Sequence, residues 1–158
     1  MERSREKGFS LIELLIVVAI ILIIAAIAIP SLMRAKIAAN EASAVGSLRT
    51  IDTALQSYAT TYGGSFPSSL AVLGPSSTPS SAAADLLDAV LISGTKSGYI
   101  FTYTPGTASP TGIISDYTIN ADPITRGTSG QRSFFTDVTL IIRWNETTTS
   151  SVTDPPIG

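Results

Sequence analysis

"KGFSLIELLIVVAIILIIAAIAIPSL", Lys7 to Leu32, decides how the rest of the chain must be read. Leu14 to Ile29 is sixteen apolar residues without a break, and only Ser10 and Glu13 interrupt the run from Phe9 onward. A stretch approaching the roughly 20 residues that span a hydrocarbon core needs lipid or other apolar helices around it. Glu13 is the anomaly. A carboxylate in a spanning segment lowers insertion favourability by up to about 3 kcal/mol at mid-membrane, and by less near the edge. The preceding residues carry Arg3, Arg5 and Lys7 against Glu2 and Glu6. That basic flank belongs on the cytoplasmic side, which places the bulk of the chain outside.

The whole chain has 158 residues, enough for one ordinary domain plus an appended element. Its mean hydropathy of +0.35 is high for a soluble protein, but the excess sits in the first thirty residues. Net charge is −2 and the basic residues form no stripe, so no specific nucleic acid is expected. Cysteine and histidine are both absent. Disulfides, thiolate–zinc sites, Cys or His nucleophile systems and histidine general catalysis are thereby removed together. An exported domain of this composition is held by packing alone.

Two simple segments fit the N-terminal composition. One is a secretory signal peptide with "AIA", Ala26–Ala28, as its cleavage box; the other is a plain signal anchor. Neither has a use for Glu13. Moreover, the helical pattern continues for some thirty residues beyond that box.

A third reading rests on likeness. The stretch Lys7 to Leu32 resembles the N-terminus of a type IV pilin or a type II secretion pseudopilin. In that family a short basic leader is cut after a glycine on the cytoplasmic face, and the new N-terminal residue, usually Phe, is N-methylated by the same peptidase. The resemblance sets Gly8 before the cut, Phe9 as the methylated terminus, Glu13 as the assembly carboxylate and Pro30 as the helix kink. It implies that Glu13 of one subunit pairs with the Phe9 amine of a neighbour in a filament core. Such a pair specifies register strongly even where its net stabilisation is modest. Leu22 departs from the pattern, since many pilins carry a glycine there that marks helix loosening in the filament. The implied partners are other copies of the chain, a prepilin peptidase, and an inner-membrane platform with an ATPase motor. The implied location is the bacterial inner membrane for the precursor, then a surface filament or a periplasmic pseudopilus.

Beyond Pro30, which removes a backbone donor and predicts a kink or short break, the helical pattern resumes. Ile37, Ala38, Ala42, Val45, Leu48, Ile51, Leu55, Tyr58, Ala59 and Tyr62 recur at three- and four-residue steps, with Arg34, Lys36, Glu41, Arg49 and Asp52 mostly off that stripe. Gly63-Gly64 ends the helix. The predicted organisation is α+β. A leader spans 1–8, an apolar helix 9–29, the amphipathic half of the same helix 30–62, and a connecting loop with a short helix over Ala83–Gly94 spans 63–98. An antiparallel sheet head with its tail follows over 99–158. Strands are expected at Tyr99–Thr104, around Tyr117–Ile119, and in "RSFFTDVTLIIRWN" as one strand or two joined at Thr136-Asp137. Short connections favour a meander. The tail from Glu146 is expected to be extended or mobile.

Other chemistry is sparse. Asp116, Asp122 and Asp137 are weak calcium candidates, by likeness to pseudopilins that bind calcium in a C-terminal loop, though aspartates in turns are usually turn formers. Asn145-Glu146-Thr147 matches the N-glycosylation triplet, and Ser76–Ser81 and Thr147–Ser151 are candidate O-glycan sites. Arg126, Arg132 and Arg143 read as solvated. Tyr58, Tyr62, Tyr99, Phe101 and Tyr103 read as core between helix and sheet. No cofactor or catalytic constellation stands out. The expectation is a non-enzymatic subunit of a type IV pilus or related filament for adhesion and motility. The alternatives are a major pseudopilin of type II secretion and a monomeric signal-anchored binding domain. Loss of the leader leaves a mature chain of 150 residues with net charge −3, because three basic and two acidic residues leave with it.

Overall fold

The computed structural model describes residues 8–157, so the leader residues 1–7 and Gly158 lie outside the description. The chain divides into two units, residues 1–35 and 36–158, which are taken separately.

The first unit is the apolar part of helix α1, Leu11–Thr61. Leu, Ile, Val and Ala fill it without a glycine, so nothing in its interior opposes helix but Pro30. The helix is continuous through Pro30, and the short break expected there does not occur. The missing donor removes one internal hydrogen bond.

In the second unit α1 ends where expected. Gly63 and Gly64 adopt φ of +88° and +81°, and the Gly64 N–H bonds the Ala59 carbonyl at 2.7 Å. Left-handed backbone after a helix favours glycine because it lacks Cβ. The buried face comprises Glu41, Ala44, Ser47, Leu48, Ile51, Asp52, Ala54, Leu55, Tyr58 and Ala59. It differs from the expected stripe in its edges: Ala38 and Ala42 are exposed, whereas two carboxylates are buried. Small residues mark a helix face poorly, since alanine suits either side. The large side chains Leu48, Ile51, Leu55 and Tyr58 set the true centre.

Against this face lies a five-stranded antiparallel meander: β1 Thr95–Lys96, β2 Tyr99–Pro105, β3 Tyr117–Pro123, β4 Ser133–Asp137 and β5 Arg143–Asn145, in that spatial order. Alternation puts Tyr99 and Phe101 of β2, and Tyr117, Ile119 and Ala121 of β3, into the core with Phe134. The third expected strand segment resolves into two, with the turn after Asp137 rather than at it; Leu140 turns the chain at φ +62°.

Two parts of the head differ from expectation. The helix expected over Ala83–Gly94 shrinks to α2, Ala89–Ile92, capped by Asp88 Oδ1 accepting from the Leu91 N–H at 2.8 Å. Residues 84–87 instead lie along a 3-10 turn at Leu70–Leu73: Ala84 N–H bonds the Val72 carbonyl, and Leu86 and Leu87 both bond the Leu73 carbonyl. Leu73, Leu87 and Leu91 are thereby buried, while Leu86 and Val90 stay exposed. The tail is not loose either. Trp144 N–H bonds the Pro155 carbonyl at 3.1 Å, Ile157 N–H bonds the Ile142 carbonyl at 2.8 Å, and Asn120 Nδ2 bonds the Ser150 carbonyl at 2.7 Å. Residues 146–157 thus form a strap along the β5 edge, where Pro155 and Pro156 offer no N–H to a further strand.

Candidate functional site: the N-terminal carboxylate and the helix behind it

Ser10 immediately precedes α1, and Glu13 stands in its first turn. Glu13 Oε2 accepts a hydrogen bond from the Ser10 backbone N–H at 2.9 Å. This is the reciprocal arm of a capping box, in which an acid three residues on satisfies an amide the helix leaves unpaired. The spacing Ser10-x-x-Glu13 is itself a helix-start signal in the sequence. It gives Glu13 a local partner that its place in an apolar run does not suggest. Gly8 and Phe9 lie in irregular backbone before the helix, and Phe9 is 80% exposed. The peptide bond expected to be cut therefore lies outside regular structure.

Behind Glu13 the first unit is uncovered. The large apolar side chains from Leu11 to Ile29 are between 47% and 80% exposed. By length and composition α1 can cross a membrane. A surface this apolar on every side has no soluble function of its own and is completed by lipid or by other helices.

In the second unit α1 carries two buried carboxylates. Glu41 accepts from the backbone N–H groups of Gln131 and Arg132 at 2.9 and 3.1 Å, and from Arg132 Nε at 2.8 Å; Arg132 Nη2 closes an ion pair at 2.8 Å. Burial alone would raise the Glu41 pKa, but these donors outweigh it and hold the group below its usual range. The Arg132 guanidinium also lies 5.5 Å from the ring centroids of both Phe134 and Trp144. Asp52 accepts from Tyr117 Oη and from Thr136 Oγ1, each at 2.9 Å. Here burial dominates and pushes the carboxyl up to about 6; the two hydroxyls oppose the shift and the charge of Asp137 adds to it. Neither carboxylate stood out in the sequence, because a charge off an apolar stripe is ordinarily solvated.

The other sequence candidates separate. Asp116 precedes β3 and Asp122 lies at its far end, six residues or about 20 Å along a strand. Asp137 pairs opposite Thr118, near Asp116, and its Oδ1 accepts from the Thr139 N–H and hydroxyl as a turn former does. Among the described residues no three potential metal ligands gather. The arginines are structural rather than solvated: Arg126 reaches the Gln131 and Glu146 carbonyls and the Ser133 hydroxyl, and Arg143 the Asp154 carbonyl. Asn145 is occupied, its amide donating to Asp154 Oδ1 and its oxygen accepting from the N–H groups of Thr147 and Thr148. The five aromatic residues expected in the core do line it, with Tyr62 and Tyr103 at its margin.

Among known proteins, no curated protein and no solved structure matches the chain. Residues 3–29 match a family model described as the prokaryotic N-terminal methylation motif. That match covers the basic flank, Gly8, Phe9, Glu13 and the apolar run up to Ile29. A motif of this kind implies processing by a prepilin peptidase, and the apolar helix fits a membrane-anchored precursor. The chain carries the type IV prepilin-like N-terminal motif, as a pilin- or pseudopilin-like precursor does.

Proposed function

We propose that the chain is the precursor of a structural subunit of a type IV pilus. It is cut after Gly8, methylated on the new Phe9 amine, and polymerised through α1 into a surface filament for adhesion and motility. One observation carries this reading: a lone acid four residues after the Phe9 amine, at the head of an apolar helix with nothing covering it, inside a methylation motif. A side chain at Gly8 would meet nothing within 4 Å among the described residues, so the chain's own packing does not require that glycine. A peptidase that must close on the backbone does. The chain works by assembly and catalyses nothing; its partners are its own copies, the peptidase, and a membrane platform with an ATPase motor. Before assembly the membrane holds the subunits by the apolar helix.

The absence of cysteine favours a second reading, a pseudopilin of type II secretion, because family pilins often close their heads with a disulfide. Electron micrographs of cells separate the two: long surface fibres containing the chain support the pilus, and short platform-bound assemblies the pseudopilus. Intact mass tests processing itself. A mass equal to Phe9–Gly158 plus one methyl is expected, and a chain beginning at Ile29 would identify a cleaved signal peptide instead.

A further inference from the structure

One end of the head is assembled from Lys36 of α1, the turn between β1 and β2, and the loop after β3. Ser97 and Gly98 form a two-residue hairpin turn with φ of +50° and +76°, set by the opposition of Lys96 and Tyr99. Gly98 is needed there, since a Cβ would come within 2.8 Å of Ser129 Cβ. Asn40 Nδ2 ties the loop to the helix through the Ser129 carbonyl at 2.7 Å. Between these parts lies a cleft of about 270 Å³ lined by Lys36, Asn40, Ser97, Gly98, Thr128 and Ser129.

Its chemistry is one-sided. No carboxylate lines it. Ser97 Oγ already accepts from the Ser43 hydroxyl at 2.9 Å, which leaves its own proton to give. With the Lys36 ammonium and the Thr128 hydroxyl, it supplies donors fit for a tetrahedral anion. Lys96 immediately precedes Ser97, and Arg126, in the loop, bonds carbonyls and a hydroxyl rather than an acid. Among the described residues the one ion pair is Arg132–Glu41, so none of these three cations is neutralised by a carboxylate. Glu41, the residue after Asn40, is the nearest acid along the chain, and it is taken up by the Gln131 and Arg132 amides and the Arg132 guanidinium; Asp122 lies across from Ile100 on β3. The same loop exposes Ile124 at 57%.

Position along the chain says which anion. Lys36 is seven residues beyond Ile29, the last residue of the apolar run, and seven residues reach at most about 25 Å however the chain between them bends. An anchored subunit therefore keeps this cleft near the lipid headgroups, where basic residues are drawn to anionic phosphates. We propose that the cleft and its flanking lysines bind the phosphate of anionic phospholipid, seating the head on the membrane before assembly. This rests on the anchored-precursor reading above.

The test reconstitutes the full chain in vesicles of phosphatidylcholine, with or without phosphatidylglycerol, and follows amide exchange at Ser97, Gly98 and Ile124–Gly130. Phosphatidylglycerol is expected to slow exchange there about tenfold, with Ile113–Asp116 at the opposite end unchanged. The doubly substituted Lys36→Gln/Lys96→Gln chain, in which an exposed and a half-buried lysine lose their charge but keep a long polar side chain, is expected to lose that protection. Equal exchange in both vesicles would overturn the proposal. Equal protection from glycerol phosphate added to phosphatidylcholine vesicles would overturn the lipid as ligand and leave a site for free phosphate. Failure to co-float with either vesicle is a different failure, which removes the anchor and this proposal with it.

Discussion

Asp52 and Thr136 are joined across 84 positions of sequence by a 2.9 Å hydrogen bond, and the second oxygen of Asp52 takes the Tyr117 hydroxyl at the same distance. Asp52 is 5% exposed, so helix and sheet close over an ionisable group that water barely reaches. Because burial raises its folded pKa from 3.8 to about 6, the head binds this proton more tightly than the unfolded chain does. The resulting stability is fully present below the unfolded value and is lost as pH rises through about 6. Asp52→Asn keeps an acceptor and removes the ionisation. Its melting temperature at pH 7.5 should exceed the parent's, by about 1–3 kcal/mol of stability, and the gap should close near pH 4. A variant less stable than the parent at pH 7.5 would show that the charge is net favourable.

Glu41 slopes the other way. Its folded pKa is depressed, so its contribution is present above the unfolded value of 4.5 and is lost as pH falls through the folded one. Glu41→Gln should lower the melting temperature at neutral pH, by about 1–2 kcal/mol for a hydrogen-bonded charge, and flatten the acid limb of the profile. Arg132→Lys should recover little, since an ammonium can neither fork onto the carboxylate nor stack between Phe134 and Trp144.

A Cβ on Gly130 would overlap the Tyr99 hydroxyl and come within 2.7 Å of Tyr99 Cε2. Tyr99 is fully buried and its hydroxyl donates to the Arg132 carbonyl at 2.7 Å, so the ring has nowhere to go. Gly106 is also crowded, most closely by the carboxylate of exposed Asp116, which can swing into water, leaving the Asp116 carbonyl at 2.9 Å as the one backbone contact to relieve. Gly130→Ala should therefore cost about 2–4 kcal/mol and Gly106→Ala clearly less. Denaturant unfolding of the two variants checks the order, and the reverse order would mean that Asp116 is fixed.

The strap depends on Asp154. Its carboxylate accepts from the Ser151 N–H at 2.7 Å, the Asn145 amide at 2.9 Å and the Ser150 hydroxyl at 3.2 Å, and these donors depress its pKa, the Ser151 N–H most. Asp154→Ala should release the strap and speed exchange of the Trp144 and Ile157 amides about tenfold or more, while the core amides of β3 hold. The parent should show the same loosening as pH falls through the depressed pKa. Unchanged exchange in the variant would locate the anchor at Asn120 or Ile157 instead.

How much of this was legible follows the range of the forces involved. The long helix, its stop at Gly63-Gly64 and the alternation that turns Tyr99, Phe101 and Tyr117 inward all come from residues within a few positions of one another. The methylation motif over residues 3–29 was equally readable, because a spaced motif is local. Glu41 was not: its donors Gln131 and Arg132 are 90 and 91 positions away, and nothing near Glu41 announces them. Residues 84–87 failed as a helix for the same reason, since their amides bond the carbonyls of Val72, Leu73 and Gly74 rather than one another's. The strap read as loose on its composition, but Ser150 and Ile157 had distant partners in Asn120 and Ile142.

Glu13 has one role within the chain and a proposed one between subunits, and one substitution can separate them. Within the chain it caps α1 through the Ser10 N–H at 2.9 Å, a contact that needs an acceptor oxygen but no charge. Between subunits, the proposed pairing with a methylated Phe9 ammonium needs the charge. Glu13→Gln preserves the first and abolishes the second, whereas Glu13→Ala abolishes both. If pairing governs assembly, both variants should be cut after Gly8 and accumulate in the membrane, and both should lose filaments about tenfold or more relative to the parent. If capping alone matters, Glu13→Gln should assemble like the parent and only Glu13→Ala should fail. Counting fibres on cells, with mass spectrometry of the membrane-held chain to confirm that cleavage is intact, decides between them. Normal filaments from Glu13→Ala would remove Glu13 from assembly altogether and leave the apolar face of α1 to set it.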